Sequence, residues 1–150
     1  MSGLRSRLRA AASLGAAALL SLAISGPARA DSAGDAAVKA STPQQRAGLQ
    51  TDWMRGKLGL SPDVAAKVAE INLDTARKMD PVLKGDGNVL SRYAQGESIQ
   101  KERYAALRAV LTPDQFQLLE SSKDEMKQKV ESALVEQAAS AAGGAAPVSK

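Results

Sequence analysis

The feature that most constrains the fold is one pattern used twice. Leu60-Ser61-Pro62-Asp63-Val64 and Leu111-Thr112-Pro113-Asp114-Gln115 each set a hydroxyl residue before a proline, between two stretches of helical periodicity. A Ser or Thr oxygen at the N-cap accepts from a backbone N–H with no partner inside the helix. Proline suits the first helical position, where its missing N–H costs nothing. At Thr112 the glutamine three residues on completes a capping box, in which two side chains satisfy two backbone donors reciprocally. At Ser61 the matching place holds Val64, so that box is half present. Each pattern ends one helix and starts the next. The expectation is an all-α chain of four helices, arranged as two helical hairpins with equivalent elbows.

The apolar spacing fills in the helices. A first one starts after Thr42, with Pro43 at its first position, and runs to about Leu58; Leu49, Trp53 and Leu58 give it an apolar side and Gly59 is a stop. The second begins at Pro62 and carries Val64, Val68, Ile71 and Met79 at helical spacing. Asp80-Pro81 either kinks or ends it, since a residue before proline avoids helical geometry. Lys84 to Asn88 holds two glycines and reads as a turn. A third helix covers roughly Leu90 to Val110. The fourth runs from the Thr112 cap to about Gln137, with Phe116, Leu119, Met126, Val130 and Leu134 on its apolar face.

The first thirty residues have a different logic. Arg5, Arg7 and Arg9 precede an apolar stretch from Ala10 to Ile24, and Ala28-Arg29-Ala30 has the small-x-small pattern of a signal-peptidase site. The apolar stretch falls short of the roughly 20 residues a membrane span needs. The expectation is a signal peptide over residues 1–30, cleaved after Ala30, with export to the periplasm and no stable membrane anchor. Residues 31–41 and the Ala/Gly-rich stretch 138–150 lack apolar periodicity and read as disordered, leaving 42–137 as the helical domain. The cut also changes the charge. Removing Arg5, Arg7, Arg9 and Arg29 leaves 16 basic against 16 acidic residues, so the apparent basicity belongs to the leader and nucleic-acid binding loses its support.

Composition limits the chemistry. The chain has no histidine and no cysteine, which removes thiolate chemistry, the usual nucleophile–base pairs and most transition-metal sites. No catalytic residue, cofactor or metal ligand set stands out, and the chain does not read as an enzyme. The pairs Glu70/Asp74 and Glu120/Asp124 have the spacing to hold a hard cation, but a solvated helix face is the favoured reading. Asp86-Gly87-Asn88 lacks the rest of a calcium loop and reads as a turn. Arg92, Arg103 and Arg108 form a candidate basic strip, diluted by Glu97 and Glu102. Only Trp53, Tyr93, Tyr104 and Phe116 are aromatic after the leader, so a thick single core is unexpected and an open helical layer or a dimer fits better. Trp53, Met54, Leu58, Phe116, Leu119 and Met126 therefore carry two readings, as core or dimer seam and as an adaptable surface for clients or a partner.

Leu111-Thr112-x-x-Gln115 resembles the L-T-x-x-Q signature of the Spy/CpxP family of periplasmic helical proteins, and Leu60-Ser61-x-x-Val64 occupies the place of that family's first elbow. The similarity covers roughly residues 42–137. It implies long helices that pair into thin, curved or elongated homodimers. It also implies an ATP-independent chaperone that binds unfolded or stress-exposed envelope proteins through an amphipathic surface. The alternative is an adaptor or stress-response regulator docking on one defined partner, a sensor domain or an envelope assembly.

Overall fold

The structure is a computed structural model that describes residues 28–143, with side chains from 33 onward. The leader expected over residues 1–30 lies outside the described residues except for its last three, as do residues 144–150. The described part is all-α, with six helices and no strand among the described residues: α1 (Ala28–Ala40), α2 (Pro43–Leu58), α3 (Pro62–Lys84), α4 (Val89–Val110), α5 (Pro113–Ser121) and α6 (Lys123–Gly143). None of these helices is long and apolar enough to cross a membrane.

The starts of α2, α3 and α5 fall where the hydroxyl–proline pairs place them. Gly59 closes α2 at φ 60°, in the left-handed region that a Cβ disfavours, and its N–H donates to the Arg55 carbonyl. From there α3 returns beside α2, and α4 returns beside α3. The short α5 crosses the elbow end, and α6 runs back along α2. The core is built where α2, α3, α4, α5 and α6 converge, around Met54, Val68, Leu107 and Leu119.

Two expectations are corrected, and one alternative left open is decided. Residues 31–41 are not disordered: α1 is helical over most of them and packs along α6, with Ala37 8% exposed in the core cluster and Val38 packed against it. Alanine-rich sequence has high intrinsic helix propensity, and docking small side chains needs no apolar stripe. The expected fourth helix breaks at Ser122, whose N–H donates to both Leu118 and Leu119 carbonyls before the chain re-enters α6; α6 then continues through 138–143, part of the expected tail. Pro81 does not end α3, which runs one more turn to Lys84. The Gly85 N–H closes that turn on the Pro81 carbonyl at 2.9 Å, and Lys84 pairs with Asp80 at 3.0 Å.

Candidate functional site

The two elbows meet at one end of the bundle. Thr112 Oγ1 accepts from Gln115 N at 3.3 Å, and Thr112 N donates to Gln115 Oε1 at 3.1 Å, so the capping box is complete. Gln115 does one thing more: its Nε2 donates to the Leu58 carbonyl at 3.2 Å, tying the second elbow to the first. Ser61 Oγ accepts from Val64 N at 3.4 Å with nothing returned, as the valine dictates. Leu60 and Leu111, one from each elbow, are both buried. A second complete capping box stands at Thr42 and Gln45, with Thr42 N to Gln45 Oε1 at 2.8 Å. The sequence shows it as Thr-x-x-Gln, the same signal as at Thr112.

The residues read as a client surface are mostly core. Met54 and Leu119 are fully buried, and Leu58, Phe116 and Met126 are buried; only Trp53 is half-exposed. Phe116 is enclosed by Tyr104, edge-on at 6.1 Å, and by the Arg108 guanidinium 4.6 Å above its ring. Apart from Trp53, these side chains offer a protein client little surface unless the bundle opens. Of the two readings, the folded chain takes the core one, because a sparse helical layer needs every large apolar side chain to fill its centre.

The three arginines do not form a strip. Arg92 Nε donates to the Val82 carbonyl at 2.9 Å and fastens the α3–α4 hairpin, Arg108 covers Phe116, and Arg103 points inward. Arg103 is 4% exposed and donates from Nε and Nη2 to Asn72 Oδ1 at 3.0 and 2.9 Å. Asn72 in turn donates to Thr51 Oγ1 at 3.0 Å, and the Met54 sulfur lies 3.6 Å from Asn72 Nδ2. A polar layer thus crosses α2, α3 and α4 in the middle of the core. No carboxylate lies within ion-pair distance of Arg103 among the described residues. Burial pushes its guanidinium down from the usual arginine range.

Arg46 provides the contrast. It is 5% exposed, and its Nη2 meets Asp80 Oδ1 at 2.6 Å. Its Nη1 reaches the Val38 and Ser41 carbonyls at 3.2 and 2.8 Å. This arginine is neutralised, and it pins the end of α1 to α2 and α3. Its hydrogen bond, with that of Lys84, holds the Asp80 carboxyl below the usual carboxylate range.

A cleft of about 330 Å³ opens beside the polar layer. Helices α3 and α4 form one wall, through Met79, Leu83 and Tyr104, and α6 forms the other, through Met126 and Val130. The acidic pairs Glu70/Asp74 and Glu120/Asp124 lie on exposed faces, with Asp74 taken up by Lys78 at 3.0 Å. Asn88, in the turn, caps α4 by accepting from Leu90 N at 2.8 Å. Beyond it Val89, Leu90 and Tyr93 stand 74%, 78% and 73% exposed at the far end of the α3–α4 hairpin. Sequence reasoning missed this knob because it opens an otherwise regular helix.

No curated protein and no solved structure matches the chain significantly. A family model does, over residues 30–139, and its description is a domain of unknown function, DUF4890. The match spans α2 to α5 whole, with nearly all of α1 and most of α6, so the chain belongs to the DUF4890 family.

Proposed function

We propose that the chain is an exported, non-enzymatic binding protein of the Spy/CpxP type that holds unfolded or stress-exposed envelope proteins without nucleotide, and that it contacts them through the end of the α3–α4 hairpin. The observation that carries this is the trio Val89, Leu90 and Tyr93, at least 73% exposed and gathered in the first turns of one helix. Single exposed apolar residues mean little, whereas a cluster of them marks an interaction surface. The elbow around Gln115, which joins both hairpins, supports the resemblance. The small size of the knob favours a second reading, the adaptor that inserts it into one defined partner.

Aggregation of two unrelated unfolding proteins, followed without ATP, tests the proposal. The chain suppresses it near stoichiometric ratio, and Leu90→Ser with Tyr93→Ser abolishes the effect while leaving the melting temperature unchanged. Suppression undiminished in that variant rejects the knob as the surface. One stoichiometric partner captured from periplasmic extract, without suppression, moves the function to the adaptor. The same reading includes a homodimer, elongated or curved, which sedimentation checks, and a mature N-terminus at Asp31, which the mass of the exported chain checks.

A further inference from the structure

We infer that the cleft between α4 and α6 is a binding site for an amphiphile with a single carboxylate on an apolar body, a medium-chain fatty acid, and that Arg103 is its counter-ion. The inference does not depend on the protein-binding role of the hairpin knob.

An arginine 4% exposed with no carboxylate among the described residues is the unusual group in this molecule. Taking a charge out of water carries a penalty that only an opposite charge or strong hydrogen bonds offset. Asn72 supplies two hydrogen bonds through one neutral oxygen and leaves the charge uncompensated. The third nitrogen, Nη1, has no protein partner among the described residues. No fully buried polar side-chain atom among them lacks a partner, so Nη1 opens to solvent through a cleft that Arg103 lines.

Arg103 lines two clefts, and their charges differ. On the α3–α4 face it is accompanied by Lys78 against Glu70, Asp74 and Glu102, a setting that repels an anion. On the α4–α6 side Lys123 and Lys127 balance Asp124 and Glu131, and Arg46 is held by Asp80, so no excess of carboxylates faces Arg103 there. An anion entering that side meets a balanced wall in which Arg103 is the buried charge without a carboxylate partner among the described residues. Val38, Met79, Leu83, Met126 and Val130 give the lining its apolar part, beside the polar Gln50, Thr75 and Gln100. A volume of 330 Å³ sits at the small end of ligand sites, which run from about 300 to 1,000 Å³. A carboxylate head on the guanidinium, charge-assisted and short, with an unbranched tail along the methionines, satisfies both halves of the site.

Titration calorimetry with dodecanoate and dodecanol, both below their aggregation concentrations, tests the assignment on the full chain. The acid binds one to one and raises the melting temperature, and the alcohol binds at least tenfold more weakly. Arg103→Met keeps an unbranched apolar stem, removes the charge and abolishes the preference for the acid. If that variant does not fold, Met79→Trp serves instead: it keeps Arg103, fills the cleft and weakens the acid at least tenfold. Equal binding of acid and alcohol overturns the inference. So do the absence of binding to the unmodified chain and acid binding unchanged in a folded Arg103→Met or Met79→Trp chain.

Discussion

Two arginines share nearly the same burial and differ in everything else. Arg46 has a carboxylate and backbone carbonyls around it, whereas Arg103 has an amide oxygen and an open cleft. The first is therefore a structural pin, and its partner reports on it. The Asp80 carboxyl sits below its ordinary value of 3.8, chiefly through the Arg46 hydrogen bond and then that of Lys84. A carboxylate with a depressed folded pKa contributes stability that is fully present above the unfolded value and is lost as pH falls through the folded one. Asp80→Asn should thus lower the melting temperature by several degrees at neutral pH, where Arg46 loses its counter-charge, and the gap to the unmodified chain should close as the pH drops below about 4. Melting curves on both chains across that range decide it, and a gap that persists in acid would show that the loss is not electrostatic. Neither arginine's role was legible in the sequence. Burial of a charge is decided by which helices converge on it, and Arg103 reads along its own helix as one more cation beside Arg92 and Arg108.

At the scale of elements the legible part was the helix starts. A cap is settled within four residues, so Thr42-Pro43, Ser61-Pro62 and Thr112-Pro113 place α2, α3 and α5 without reference to the rest of the chain. The illegible parts were decided at a distance. The break at Ser122 has no proline or glycine to announce it, and α3 survives Pro81 because only one turn remains, fastened by the Lys84–Asp80 and Arg46–Asp80 pairs. The capping glutamines give a clean comparison. Gln45 completes its own box and no more, whereas Gln115 also reaches the Leu58 carbonyl across the elbows. Losing a cap contact costs about 0.5–2 kcal/mol, and a further hydrogen bond contributes about 1 kcal/mol. Gln115→Ala should therefore destabilise the chain by about 1 kcal/mol more than Gln45→Ala in chemical denaturation. Equal losses would mean that the elbow-to-elbow bond carries no weight in solution.

For the molecule as a whole, the question is what holds α1 in place. Little in the sequence announces this helix, since its side chains are small and no apolar stripe marks it. Its hold comes from the tertiary structure: Ala37 buried against the core, Gly34 beside Glu131, and the Val38 and Ser41 carbonyls taken by Arg46. The rest of the fold has its own core in Met54, Val68, Leu107 and Leu119, none of which belongs to α1. Helix α1 is thus a strap over α6, and the bundle beneath should outlast its release. Ala37→Asp tests this by placing a charge at a position 8% exposed; an unpaired buried charge costs several kcal/mol, more than a strap of small side chains can supply. The expected result is early proteolysis within 33–41, a drop in helicity about the size of α1, increased binding of an apolar dye to the uncovered face of α6, and a cooperative melt of the remainder at lower temperature. If the whole chain instead loses its cooperative transition, α1 is part of the folding unit rather than a cover on it, and the boundary of the domain moves from Thr42 back to the start of that helix.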